Sequence, residues 1–140
     1  MGGYRFLEHI SDVLIEAWGD KIEEAFEQAA KGFFDVMVEI SRVRPIKEEE
    51  IEVTGHDLCS LLYNWLEELL IIHEVKNFVF SEFHVKIVKV DDQFKLKAKA
   101  LGEEYDRKRH LSKTAVKAVT FHQMKVKSNG GWRVKFLLDI

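Results

Sequence analysis

Two acidic residues near opposite ends of the chain are the strongest candidates for chemistry. Asp12 lies in "EHISDVLIEAW", three residues after His9, and Asp139 lies in "WRVKFLLDI", directly before Ile140. Carboxylates and main-chain oxygens are hard donors, which select Ca²⁺, Mg²⁺ or Mn²⁺ rather than zinc. The residue types therefore indicate an oxygen-rich cation site, which Asp12 and Asp139 could form only if the fold brings them together.

That condition depends on how two strands pair. If the strand that begins near Val13 runs beside the strand that begins near Trp132, Asp12 and Asp139 meet at one edge of a sheet. The alternative interpretation is structural. Ser11 and Asp12 are good turn formers, and a carboxylate at the end of a strand is usually solvated.

Histidines are the second set of candidates, as catalytic bases or metal ligands. The sequence contains no HxH or HExxH pair, so a zinc hydrolase site has weak support. A packed or exposed side chain is the favoured interpretation for each of them. They are His9, His56, His73, His84, His110 and His122.

One basic cluster stands out, in the segment "GEEYDRKRHLSKTAVK" at residues 102–117. Such a run is usually a solvated loop, although it could also contact phosphate. Tyr105 is its only aromatic residue, so stacking on bases has little support. We expect a polar loop over residues 102–113.

Hydrophobic periodicity predicts the elements that must position these residues. Apolar residues recur at helical spacing behind Asp20 and Glu23, which match a capping box, and again behind Asp57, which can cap a second helix. The segment "AVKAVTFHQMKVK" is ambiguous, and its Val, Thr and Phe favour a strand. Further strands are expected at residues 4–8, 13–18, 47–55, 78–90, 94–100 and 132–140.

Two helices against about seven strands predict an α+β fold. We expect a two-layer sandwich with both helices packed on a mostly antiparallel sheet. The length of 140 residues suits one domain, and no linker or repeat interrupts the chain, so residues 1–140 are predicted to form a single domain.

Composition narrows the function classes. A formal net charge of −3 argues against strong direct binding of nucleic acid, which needs clustered Lys and Arg. The single cysteine, Cys59, excludes an internal disulfide and a multi-cysteine zinc site. No apolar stretch is long enough to span a bilayer, and no signal peptide is evident, so we expect a cytoplasmic protein that does not associate with a membrane. No P-loop, dinucleotide fingerprint or nucleophile elbow is present either, so an enzyme has little support.

Several stretches, taken together and in order, resemble the archease family. They are "EHISDVLIEAWG", "EEAFEQAAKGFFDVM", "GHDLCSLLYNWLEELL", "GEEYDRKRH", "VKAVTFHQM" and "WRVKFLLDI". The resemblance runs from Tyr4 to Ile140 without a large insertion. "EHxxD" alone would be weak, but its combination with "VKAVTFH" and the final "DI" is specific.

The resemblance implies an accessory protein of the tRNA-splicing RNA ligase of the RtcB type. It implies a non-catalytic activator that promotes guanylylation of that ligase and its multiple turnover, on a fold of the strand–helix–strand–strand type. Carried over residue by residue, the family's acidic metal site falls on Asp12, Asp139 and Ile140, with His9 as a residue that could orient a ligand. We expect calcium there, with magnesium or manganese as alternatives.

Two other functions are compatible with the same residues. A stand-alone metal-dependent phosphohydrolase would use the two carboxylates with His9 or His122 as a base, and would turn over a phosphate ester without the ligase. A general chaperone-like interaction module would bind partners regardless of chelator and of Asp12.

Overall fold

The computed structural model describes residues 1–7 and 11–140. Within them the chain forms two α-helices, seven β-strands and a short 3₁₀ turn at Ile40–Arg42. In chain order these are β1 (Gly3–Leu7), β2 (Asp12–Gly19), α1 (Ile22–Met37), β3 (Lys47–Gly55), α2 (Leu58–Lys76), β4 (Phe78–Val90), β5 (Gln93–Glu104), β6 (Ala118–Ser128) and β7 (Trp132–Asp139).

The strands form two antiparallel sheets rather than one. The larger sheet has the order β1-β2-β7-β6, and the smaller has the order β3-β5-β4. Both helices pack against these sheets, with α1 contacting β2 and β4 and α2 contacting β3 and β6. The expected α+β class, with helices on antiparallel strands, is confirmed. The division into two sheets is a long-range property that local periodicity does not encode.

Aromatic and aliphatic side chains fill the space between helices and sheets. The indole N–H of Trp65 on α2 donates to the main-chain oxygen of Phe26 on α1 at 3.1 Å, so the polar atom of this buried ring has a partner. The largest fully buried side chains are Trp65, Phe26, Phe33, Phe34, Phe80 and Phe136.

The start of α1 differs from the predicted capping box. The helix begins at Ile22, Lys21 takes the N-cap position, and no side chain caps it. The carboxylate that reaches back belongs to Glu24 rather than Glu23, and it accepts from the main-chain N–H of Asp20 at 2.7 Å. The helix starts one residue later than the pattern implied, which moves the reciprocal carboxylate by one position as well.

The ambiguous segment is a strand from Ala118 onward, as its β-branched residues indicated, whereas its first three residues belong to the preceding loop. Strand β6 begins at Ala118, and its pairing with β7 breaks between Thr120 and Lys125. Gln123, inside this break, has a φ of 61°, which places it in the left-handed region. The segment is therefore an irregular edge strand that bulges between its two paired halves.

The predicted polar loop begins later than expected. Strand β5 continues through Gly102 to Glu104, so the loop covers residues 105–117. A Cβ added at Gly102 would lie 1.9 Å from the main-chain oxygen of Val79 on β4, so only glycine permits this close strand contact. None of the helices in the described residues is long and apolar enough to cross a membrane.

Candidate metal site at the edge of the larger sheet

The two candidate aspartates lie opposite each other. Strand β2 begins at Asp12, strand β7 ends at Asp139, and the antiparallel register pairs these two residues. Directly opposed residues of antiparallel strands point to the same face, with Cβ atoms about 4.5–5.5 Å apart. The fold therefore brings both carboxyl groups to one place on one face of the larger sheet.

The neighbouring strand closes the other side of this edge. Asp139 also pairs with Ala118 at the start of β6, and the N–H of Lys117 donates to the main-chain oxygen of Asp139 at 2.8 Å. Ile140 follows directly and is half-buried. The end of the basic loop is thus hydrogen-bonded to the residue that carries one of the two carboxylates.

The next row of the same face is apolar. Leu14 and Leu137 are paired opposite each other, one step from the aspartates, and they are 7% and 4% exposed. Neither belongs to the main core cluster, which lies on the other face of the sheet. Apolar neighbours exclude water on that side and so strengthen the attraction between a carboxylate and a cation.

The donor chemistry of this edge fits a hard divalent cation. Asp12, Asp139 and the main-chain oxygen of Ile140 would supply only oxygen atoms, which calcium, magnesium and manganese prefer. Among residues 1–7 and 11–140, no group of three or more His, Cys, Asp or Glu side chains is arranged to hold a metal ion. His9 lies outside the described residues.

The basic loop is held in place by a buried carboxylate that no sequence motif indicates. The Glu103 side chain, on β5, is 4% exposed and accepts hydrogen bonds from the Arg109 guanidinium at 2.8 and 2.9 Å. It also accepts from the main-chain N–H of Arg44 at 2.9 Å and pairs with that residue's guanidinium. Two arginines from different segments are therefore fixed on one carboxylate.

The protonation of Glu103 follows from these contacts. Burial alone raises the pKa of its carboxyl, but the hydrogen bonds from Arg109, Arg44 and His110 outweigh it. The net result is a pKa far below the usual range for glutamate, because each donor stabilises the ionised form.

His110 belongs to the same network, and its hydrogen bonds define its tautomer. Its ring is fully buried, and Nδ1 accepts from the main-chain N–H of Asp106 at 2.9 Å. The ring proton therefore resides on Nε2, which donates to Glu103 at 2.8 Å. A buried histidine whose two ring nitrogens both form hydrogen bonds has a structural role. This agrees with the favoured interpretation of the histidines as packed or exposed side chains.

Lys113 is also used structurally. Its ammonium group contacts the Asp35 carboxylate at 2.9 Å, and its main-chain N–H donates to the oxygen of Met37 at the end of α1. Arg107, Lys108 and Lys117 stay exposed. The loop is therefore not a uniform basic surface, since part of its charge anchors it to α1 and β5.

Glu16 is a second buried carboxylate that the sequence motifs did not indicate. It is 7% exposed in the middle of β2, and it contacts Arg5 at 2.6 Å and Arg133 at 3.1 Å. Burial tends to raise its pKa, but hydrogen bonds and charge from Arg5, followed by the charge of Arg133, lower it overall. The alternation of β2 could have indicated this residue, because it places Glu16 on the same face as Asp12, Leu14 and Trp18.

These features define a class: a small α+β protein with two helices on antiparallel sheets and an acidic pair where two sheet strands meet. Comparison with known proteins narrows the class to one family. Residues 4–140 match the model of the archease protein family (MTH1598/TM1083), and the chain belongs to that family.

Relatives agree over the full length. The chain is 46% identical to the protein archease of Pyrococcus abyssi and 42% identical to that of Pyrococcus furiosus, with all of each sequence covered. The solution structure of Methanobacterium thermoautotrophicum protein 1598 matches with a TM-score of 0.88 at 40% identity, covering 99% of both chains. Both the family and the fold expected from the sequence motifs are confirmed.

Proposed function

We propose that this protein is a non-catalytic activator of the RtcB-type tRNA-splicing RNA ligase and acts in the cytoplasm. Its role would be to promote guanylylation of the ligase and its return to activity between turnovers. Membership of the archease family, known as an accessory factor of that ligase, supports the proposal most directly. The pairing of Asp12 with Asp139 supplies a place where such an activity could use a cation.

The residues of the chain define the cation site that we propose. Asp12 and Asp139 would hold the ion with the main-chain oxygen of Ile140, and calcium is the expected ion, with magnesium or manganese as alternatives. When bound, the cation supplies positive charge that can neutralise phosphate oxygens of a nucleotide. The main-chain N–H of Lys117, at the end of the basic loop, donates to the main-chain oxygen of Asp139 and so helps to fix that residue in place.

The proposed site suits an accessory role better than independent catalysis. Two carboxylates and a main-chain oxygen do not fill the six to eight positions around calcium. Asp139 is exposed at the end of its strand, so a partner can approach the open side of the site. The ligase, or the phosphates of its bound nucleotide, would complete the coordination.

The test is a ligation assay at substoichiometric ligase with Asp12→Ala, Asp139→Ala and the control Asp92→Ala. Asp92 is exposed in the β4–β5 turn, so its removal changes the net charge equally without touching the site. Loss of a residue that only supports a metal ligand lowers metal affinity by roughly 10- to 100-fold, so calcium affinity should fall by at least that much in Asp12→Ala and Asp139→Ala. Multiple turnover of the ligase should also fail with these two variants, whereas Asp92→Ala should behave like the unaltered protein.

Two results would contradict the proposal. Full stimulation of the ligase by both site variants would remove the metal from the mechanism. Hydrolysis of a phosphate ester by the pure protein, lost in the site variants, would show an enzyme in place of an activator.

A further inference from the structure

The outer face of the larger sheet carries an unusual arrangement of positive charge. Strand register places Lys125 of β6 directly opposite Lys135 of β7, and in the next row Lys127 directly opposite Arg133. Like charges in directly opposed positions repel and destabilise a sheet. Two consecutive rows of such pairs are therefore not explained by the stability of the sheet itself.

The same rows extend across the sheet to β2 and β1. Arg133 is paired with Trp18 and its guanidinium lies 5.5 Å from the centre of that ring, while Lys135 is paired with Glu16. Arg5 on β1 is paired with Glu16. The result is a basic face formed by Arg5, Lys125, Lys127, Arg133 and Lys135.

Only part of this charge is balanced within the protein. Glu16 is the carboxylate of these rows, and it binds Arg5 and Arg133. Within residues 1–7 and 11–140, Lys125, Lys127 and Lys135 form no ion pair. Lys125 and Lys127 are exposed and Lys135 is half-buried, so this face presents unbalanced positive charge on a protein whose net charge is −3.

We propose that this basic face binds the phosphate backbone of RNA. A strip of cations on one face of a sheet is suited to a chain of phosphates, and release of counterions gives binding even where each contact is weak. Lysine is depleted from the centres of protein–protein interfaces, so the three unpaired lysines favour a nucleic acid over a protein as the occupant. Arg133 already contacts Glu16 and the Trp18 ring, so the charge left for phosphate is that of the three lysines.

The position of the basic face links it to the proposed accessory role. The acidic pair Asp12–Asp139 lies on the same face, separated from the basic rows by the apolar pair Leu14–Leu137. RNA held on the basic rows would therefore lie near the proposed cation site. Placing the RNA of the ligase reaction here rests on the proposed function, whereas binding of RNA itself does not.

The test is direct binding of a fluorescein-labelled single-stranded RNA of about 12 nucleotides, a length in the range of one single-strand binding module. Anisotropy is measured with the protein alone, in chelator, over a series of salt concentrations. With about three phosphates neutralised, the slope of log K against log salt should be about −2. Lys125→Ala/Lys135→Ala should weaken binding at every RNA sequence and reduce the slope by about 1.4, because two phosphate contacts are lost.

A matched control exists on the other sheet. In Lys95 and Lys97 of β5, as in Lys135 and Lys125, one lysine is half-buried and the other is exposed. Both Lys95 and Lys97, however, contact Glu52, at 3.5 and 3.7 Å. Lys95→Ala/Lys97→Ala changes the net charge equally and should leave RNA binding unchanged. A single Lys125→Glu variant separates folding from binding. It creates an opposite-charge pair with Lys135, so it should melt no lower than the unaltered protein while it weakens binding of RNA.

Three results would overturn the inference. One is absence of RNA binding at low salt, and another is an equal loss in both double variants, which would indicate bulk charge. The third is intact RNA affinity with weakened ligase binding in Lys125→Ala/Lys135→Ala, which would assign the face to a protein partner. Loss of ligase stimulation in Asp12→Ala with unchanged RNA binding leaves the inference standing, so the two proposals fail separately.

Discussion

Buried Glu103 shows how a single residue can organise a loop that carries opposite charges. Its carboxylate joins Arg44 to the consecutive residues Arg109 and His110, which come from two places in the chain. Replacing it with glutamine keeps the shape but puts an amide donor against guanidinium donors. Arg44 and Arg109 are partly exposed and can regain water, so the cost should be about 2 kcal/mol, below that of a fully buried pair.

Equilibrium unfolding in denaturant measures this cost for Glu103→Gln. Glu104→Gln is the matched control, because Glu104 is the next residue on β5 but is exposed. It should change the free energy of unfolding by less than about 0.5 kcal/mol. Equal effects of the two substitutions would show that the buried network contributes nothing specific.

The lowered pKa of Glu103 also predicts how stability depends on pH. A carboxyl whose pKa is lower in the folded state stabilises the protein fully above its unfolded pKa, about 4.3 for glutamate, and loses that contribution as pH falls through the folded pKa. Unfolding free energy should therefore drop below about pH 5. In Glu103→Gln this drop should be smaller, leaving the parts due to Glu16 and Asp57, whose pKa values are also lowered. If the free energy of unfolding fell equally at acid pH in both proteins, Glu103 would not be a source of the pH dependence.

Some of these carboxylates could be predicted from the sequence, whereas others could not. The sequence indicated Asp12 and Asp139 because strand-end carboxylates are conspicuous, and the register shows that they lie opposite each other. It did not indicate Glu103, because the residue looked like the start of a polar loop. Its partners Arg44 and Arg109 come from separate segments, and no local pattern predicts which distant cation meets a buried carboxylate.

At the scale of elements, two helix starts that look alike in sequence behave differently. Asp57 is the N-cap of α2, and its side chain accepts from the N–H of Ser60 at 2.7 Å. Asp20 precedes α1, but its exposed side chain caps nothing and instead contacts the amino group of Met1. We expect Asp57→Ala to cost about 1 kcal/mol and Asp20→Ala less than about 0.5 kcal/mol, measured by denaturant unfolding. The reverse order would contradict the cap assignment.

Element existence was predictable where the periodicity was long. Strands β3 and β4 have the predicted bounds, and the apolar stripe of α1 faces the core. Prediction was weakest where tertiary contacts decide, as at the end of β5. There the close approach of Gly102 to Val79 extends the strand into residues that read as a loop. The bulge in β6 is another such case, since its break in register depends on β7.

At the scale of the whole molecule, the candidate site joins strands from near both ends of the sequence. Strand β7 lies between β2 and β6, and the Asp12–Asp139 pair closes the contact of β2 with β7. Two acidic side chains placed opposite each other repel, at a cost of roughly 0.2–1 kcal/mol. A cation between them would reverse that effect and hold together strands far apart in the chain. Occupation of the proposed site would therefore affect global stability as well as activity.

This coupling predicts the effect of calcium on thermal unfolding. At a calcium concentration about 100 times its dissociation constant, binding adds about 2.7 kcal/mol, which for a chain of this length raises Tm by roughly 5–10 °C. Asp139→Asn should abolish the shift, yet in chelator it should unfold no earlier than the unaltered protein, because the repulsion with Asp12 is relieved. Asp92→Asn should keep the whole shift. A calcium-dependent Tm that persists in Asp139→Asn would locate the cation elsewhere in the molecule.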